Sequence, residues 1–199
     1  MCRIPKDRDR TQLIVYLLRA NLVTMQIVPL IHHPELLHTT AAALYEAFGR
    51  TDPTASVKRG VVRLTSRLNQ DQLPCCLVAH DNGEFLGTAS VVIEELSSHP
   101  HLTPWLSGVL VRSTHRRRGI GTALVASCVE LAANLGVQRM FLFTPESTEF
   151  YGRLGWQHIE AISNPDSTGA IMSKSVAPNP SLNTDVPHTG TAPAAAIRR

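Results

Sequence analysis

The chain has 199 residues, 43% hydrophobic and 18% charged, which suits one well-buried domain with short tails. Its formal net charge of +3 is too even for a dedicated nucleic-acid binder, and no apolar run reaches the length of a membrane span. The four cysteines (Cys2, Cys75, Cys76 and Cys128) contain no C-x-x-C pair, so neither a zinc site nor a disulfide framework is indicated, and a reduced, cytoplasmic setting is expected.

The apolar run LIVYLL ends at Arg19 and has neither the length nor the flanks of a signal peptide. Residues 1–24 are therefore expected to be a poorly ordered extension, with the folded domain over 25–176. MQIVPL, from Met25, alternates as a strand. A helix follows from Pro34 to Gly49, with Leu37, Ala41, Leu44 and Phe48 on its core face. A second helix is expected from Ser56 to Leu68, burying Val57, Val61, Leu64 and Leu68.

CCLVAH and EFLGTASVVIEE flank Asp81-Asn82-Gly83, a strong hairpin signal because Asn-Gly tolerates positive φ. Cys75 and Cys76, as neighbours on a strand, should point to opposite faces. WLSGVLVR is a further strand. The period then changes, and Ile120, Leu124, Cys128, Leu131 and Leu135 trace a helical face closed by Gly136. RMFLFT is a strand, ESTEFYGRL a short helix stopped by Gly155, and WQHIE and GAIMSKSV the last two strands. Beyond Val176, residues 177–199 are rich in Pro, Ser, Thr, Asn and Ala and are expected to be a disordered tail. The order predicts a mixed α/β domain around one sheet.

STHRRRGIG, at 113–121, sets Arg116, Arg117 and Arg118 against Gly119 and Gly121, between a strand and a helix. Helix starts carry unpaired N–H groups and the positive end of the macrodipole, and glycine lets an anion approach the backbone. A solvated basic rim on an ordinary helix would look the same, and so would a nucleic-acid patch, which predicts salt-dependent binding. A P-loop is ruled out because Thr122, not Lys-Ser/Thr, follows the second glycine. The dinucleotide fingerprint fails because TALV supplies no third glycine.

Arg116-x-x-Gly119-x-Gly121 after VLV, followed some thirty residues later by EFYGRLGW, closely resembles the GNAT superfamily of acyl-CoA-dependent N-acetyltransferases, in its small bacterial type. The resemblance covers element order from Gln26 to Val176 and is most specific over 105–158. VPLIHHPELL, at 28–37, adds a faint resemblance to the branch containing actin N-terminal acetyltransferases, too short to imply actin as substrate.

The resemblance implies a mostly antiparallel sheet with one splayed parallel pair and flanking helices. It implies acetyl-CoA as cosubstrate, no metal, and a small-molecule or peptide amine as acceptor, in a monomer or homodimer with no nucleic-acid or membrane partner. Its diphosphate would rest on the loop of Arg116, Arg117, Arg118, Gly119, Gly121 and Thr122. The pantetheine arm would pair with the backbone of Val109, Leu110 and Val111, whose N–H would polarise the thioester carbonyl. Val109 and Val111 should turn their side chains to the core. Tyr151 matches the family tyrosine that protonates the departing thiolate, and Trp105 would be either a substrate wall or a core residue.

Many relatives carry a glutamate on the strand before the loop. PWLSGVLV offers only Ser107, which leaves Glu94, Glu95 or His101 acting through water. His99 and His101 equally suit a plain loop, and relatives often have proline where Ser113 stands. At pH 7 a lysine amine is neutral only about 0.04% of the time and an α-amino group about a tenth of the time, so a missing base favours an amine of low pKa. The same absence motivates an alternative, an acyl-CoA-binding module without catalysis.

Overall fold

The computed structural model describes residues 14–17, 24–50, 52–164 and 167–176. The strands are β1 (Ile14–Leu17), β2 (Thr24–Pro29), β3 (Cys75–Asp81), β4 (Glu84–Val92), β5 (Trp105–Val111), β6 (Arg139–Thr144), β7 (Gln157–Asn164) and β8 (Ser167–Ser175). The helices are α1 (Leu37–Leu44), α2 (Val57–Thr65), α3 (Ile120–Asn134) and α4 (Thr148–Arg153). The strands form one sheet in the order β1-β2-β3-β4-β5-β6-β8-β7. Every neighbouring pair is antiparallel except β5 and β6. Within the expected N-terminal extension, Ile14–Leu17 pairs with β2. The rest of that extension and the expected tail lie outside the described residues.

Helices cover both faces of the sheet, and the middle strands are buried on each side. Cys75, Leu77 and Ala79 of β3 join the core under α3, whereas Cys76 and Val78 join the core under α1 and α2. The two cysteines thus do point to opposite faces. Asn82 (φ 47°) and Gly83 (φ 85°) form the tight turn between β3 and β4, the positive-φ pair that a two-residue hairpin needs.

The second helix begins as expected: Ser56 caps it by accepting the Arg59 N–H at 3.2 Å, and Leu64 is buried with Val57, Val61 and Leu68 packed beside it. The first helix departs from expectation. It opens with a 3₁₀ turn at Pro34–Leu36, is α-helical over Leu37–Leu44, and ends in a π turn at Tyr45–Gly49. That wider turn takes up one more residue, which rotates the end of the helix by about 100° off the 3.6-residue stripe. Phe48, expected in the core, is consequently 58% exposed.

Along α3, Ile120, Leu124 and Cys128 are buried as the periodicity predicts, but Leu131 and Leu135 are only half-buried. Ala123, Val125, Ser127 and Ala132 are buried as well, because α3 lies across β3, β4 and β5 and is enclosed over a broad arc.

β5 and β6 pair only at Trp105↔Phe141 and Leu106↔Leu142. Beyond that point Ser90 faces Ser107 while Thr88 faces Leu110, so β5 carries one residue more than β4 across the interval. Gly108, at φ +61°, absorbs this bulge in a conformation that L side chains resist. The bend leaves the β6-facing edge of β5 open from Ser107 to Val111.

Ser127 is 6% exposed and its hydroxyl has no partner among the described residues. A buried unmet hydroxyl costs about 1–3 kcal/mol, and alanine is the better helix former. Ser127→Ala should therefore raise stability by about 1 kcal/mol in urea denaturation. A loss of that size would show that the hydroxyl is in fact satisfied.

Candidate functional site

The site is built where β5 ends. Val111 leads into a 3₁₀ turn at Ser113–His115, Arg116 is extended, and Arg117 (φ 61°) and Gly119 (φ 79°) both turn left-handed before α3 begins. A left-handed arginine costs of order 1 kcal/mol, so the surrounding contacts must hold it. Three of them do. The Arg112 N–H donates to Leu86 O at 2.9 Å, His115 lies 3.8 Å from the Glu84 carboxylate, and Arg116 Nε donates to Val111 O at 3.2 Å.

The first bond of α3 runs from the Ala123 N–H to Gly119 O at 3.0 Å, and no side chain caps the helix. From Arg117 to Thr122, the backbone N–H groups find no acceptor among the described residues. Successive N–H groups on an irregular turn that opens a helix form an anion-binding concavity, reinforced by the macrodipole. The arginines divide their work. Arg116 spends its Nε bracing the turn, while Arg117 and Arg118 are exposed and unpaired among the described residues.

Val109 and Val111 are half-buried against the α3-side core, as expected, and Leu110 is buried on the opposite face. β5 therefore presents its open backbone edge, rather than side chains, to the gap.

α4 closes the site. Phe150 Cζ would stand 3.7 Å from a Cβ on Gly121, and Val111 Cγ2 would stand 3.6 Å from it, so the end of β5, the start of α3 and α4 meet at one junction. Tyr151 is half-buried beside Phe150 and Trp156, at ring distances of 5.0 and 6.2 Å. Its hydroxyl makes no hydrogen bond among the described residues. Burial first, and the Cys128 thiol second, push the phenol up to about 12. A groove of about 500 Å³ starts at Thr122, follows Val125 and Val129 along α3, and reaches Leu154, Trp156 and Lys174 beyond α4.

Trp105 is a correction to the idea of a substrate wall. It is fully buried, its indole N–H donates to Leu102 O, and it packs on Phe141 at 5.9 Å. An indole enclosed in that cluster offers no face to a ligand. His99 is a brace, with one ring nitrogen 2.8 Å from the Ser98 hydroxyl and the other 3.2 Å from Glu160 of β7. Glu94, Glu95 and His101 are exposed on the β4–β5 connection. Among the described residues, no group of three or more His, Cys, Asp or Glu side chains could hold a metal, and no helix is long and apolar enough to cross a membrane.

Sequence reading missed a row of small polar groups on the α1–α2 face. Thr88 and Ser90 on β4 and Ser107 on β5 are all buried there. The period-two polar positions of T-A-S, inside an apolar strand, were the available signal.

The family whose sequence profile matches is the acetyltransferase (GNAT) family, over residues 37–156. No curated protein matches the sequence. Among solved structures, an aminoglycoside 6'-N-acetyltransferase complexed with coenzyme A aligns over 77% of this chain and 98% of its own, at 17% identity and a TM-score of 0.62. An N-acetyltransferase from Staphylococcus aureus Mu50 aligns over 77% and 99%, at 15% identity and a TM-score of 0.62. YncA of Salmonella typhimurium, solved with its cofactor acetyl-CoA, aligns over 78% and 96%, at 17% identity and a TM-score of 0.61. At such identities the likeness is one of fold.

Proposed function

Because the chain belongs to the GNAT acetyltransferase family, and is accordingly an acyltransferase, we propose that it transfers the acetyl group of acetyl-CoA to a primary amine of a small molecule or peptide by direct attack on the thioester. The observation that carries this reading is the run of N–H groups from Arg117 to Thr122, unmet among the described residues, at the junction where Phe150, the neighbour of Tyr151, approaches Gly121. Those donors fit a diphosphate: they are consecutive, they open a helix, and Arg117 and Arg118 stand unpaired beside them.

Acetyl-CoA supplies an activated acyl group on a thiolate leaving group. The Arg117–Thr122 amides hold its diphosphate, and the open edge of β5 at Val109–Val111 takes its pantetheine arm and offers an N–H to the acyl oxygen. Tyr151 then donates a proton to the sulfur. A phenol at about 12 is protonated at neutral pH in every turnover. Against a thiol near 8.5, complete transfer would be uphill by about 3.5 units, roughly 5 kcal/mol. The thiolate forms in the same dry region, however, and burial raises its pKa as well, which narrows the gap. With Ser107 in place of a strand carboxylate, the amine arrives already neutral, which favours an acceptor of low pKa.

The reading is tested by thiol release from acetyl-CoA over a panel of amines. Turnover with at least one amine is expected, and binding without turnover on every amine would overturn it. Tyr151→Phe should lower kcat about 10²-fold with the acetyl-CoA Kd unchanged. Because the phenol's pKa is raised, the donor survives as pH increases, and the wild-type kcat should show no fall from phenol ionisation below about pH 10. Unchanged turnover in the variant would remove Tyr151 from the chemistry.

A second pair of variants isolates charge at the loop. Asn and Asp are of similar size and both tolerate the left-handed backbone of Gly119. Gly119→Asp should bind acetyl-CoA at least 10-fold more weakly than Gly119→Asn by calorimetry, because only Asp sets a negative charge against the phosphates. Equal affinities would refute the placement of the diphosphate.

A further inference from the structure

Tyr151 stands on α4, a helix of six residues, and so short a helix does not hold its own shape in water. No side-chain hydrogen bond caps its start; there the Ser147 N–H donates to Thr144 Oγ1 at 2.9 Å. The Arg153–Glu149 ion pair, at 2.6 Å, is exposed and lies within the helix, so it fastens α4 to nothing else.

The C-terminal end closes on Tyr151 itself. The Trp156 N–H donates to Tyr151 O at 3.1 Å and the Gly155 N–H to Gly152 O at 3.0 Å, with Gly155 left-handed at φ +80°. This closure leaves the Leu154 carbonyl over, and Lys174 takes it. From β8, opposite Met140, the Lys174 ammonium donates to Leu154 O at 2.8 Å. A cation there also meets the negative end of the helix dipole. A Cβ on Gly155 would stand 2.9 Å from Lys174 Nζ, so the ammonium lies directly over the turn.

Packing from α3 is incomplete at this end, because the groove lined by Val125, Val129, Leu154 and Trp156 opens there, with Lys174 also on its wall. Glu130 lines the same groove but forms no ion pair with Lys174 among the described residues. The ammonium is thus committed to a main-chain carbonyl, as a strut from the sheet to the last turn of α4.

We propose that Lys174 is a positioning residue for the acetyl transfer: by fastening the last turn of α4 to β8, it fixes the direction in which Tyr151 presents its hydroxyl to the thioester sulfur. This rests on the acetyltransferase reading and on Tyr151 as its proton donor. The lever is short. Leu154 lies one helical turn from Tyr151, and its N–H donates to Tyr151 O at 2.9 Å, so a displacement at Leu154 is passed to Tyr151. Proton transfer needs donor and acceptor within hydrogen-bond reach, and a misplacement of about 1 Å can cost up to about 10²-fold in rate. Lys174 acts only through the helix.

The test is a double-mutant cycle read as kcat for thiol release and KM for acetyl-CoA. Lys174→Met keeps the aliphatic stem and removes the donor. It should lower kcat about 10-fold with KM for acetyl-CoA unchanged, and Lys174→Arg should recover part of the loss. In the Tyr151→Phe background, Lys174→Met should cost less than about 2-fold more, because no hydroxyl is left to aim. A second readout needs no turnover. By NMR of isotope-labelled tyrosine at about pH 10.5, Tyr151 should stay protonated in the wild type and be partly ionised in Lys174→Met, as a loosened helix lets water reach the phenol. Three results would each overturn the assignment and leave the acetyltransferase reading standing: an unchanged kcat in Lys174→Met, a loss that multiplies in full with that of Tyr151→Phe, or a rise in KM for acetyl-CoA alone. Unchanged turnover in Tyr151→Phe would remove the proton donor and this role of Lys174 together. Failure of every amine would overturn both readings.

Discussion

A run of backbone N–H groups without acceptors among the described residues, where β5 gives way to α3, is the constraint around which this fold is arranged. Each such group would be expensive if it were sealed from water or an anion, so the turn must stay at the surface and yet be held still. The left-handed Arg117 and Gly119 set the direction of the amides. The Arg116 guanidinium on Val111 O, the Arg112 N–H on Leu86 O and the contact of His115 with Glu84 fasten the turn to β4 and the β3–β4 hairpin. The most basic stretch of the chain thus spends its first arginine on structure and leaves the next two exposed.

The sheet supplies the second half of the arrangement. A parallel pair limited to two residues, followed by a bulge at Gly108, opens one edge of β5 without exposing its neighbours. Both faces of the strand converge on this opening. On one lie α3, Phe150 and Tyr151; on the other lie Ser90 and Ser107. The high pKa of Tyr151 belongs to the same geometry, since the packing that seats α4 against the start of α3 also dries its hydroxyl.

The parts legible in the sequence are those governed by local chemistry. Asn82-Gly83 specifies its own turn, Ser56 its own cap, and the spacing of Ile120, Leu124 and Cys128 its own helical face. The turn between β5 and α3 was legible as a turn from its basic residues and glycines, although a solvated helix start carries the same local pattern. Phe48 was misplaced because a π turn changes the helical period without leaving a mark in composition. Trp105 was ambiguous because burial depends on Phe141, which lies far along the chain.

Everything turns on whether the main-chain nitrogens from Arg117 to Thr122 hold the diphosphate of acetyl-CoA. The most direct test is a titration of the protein with acetyl-CoA watched by amide NMR. The largest shifts, and new protection from hydrogen exchange, should appear at Arg117 to Thr122 with acetyl-CoA and not with acetyl-pantetheine, which lacks the diphosphate. Saturable binding of acetyl-CoA that leaves those amides unmoved and exchanging freely would contradict this placement.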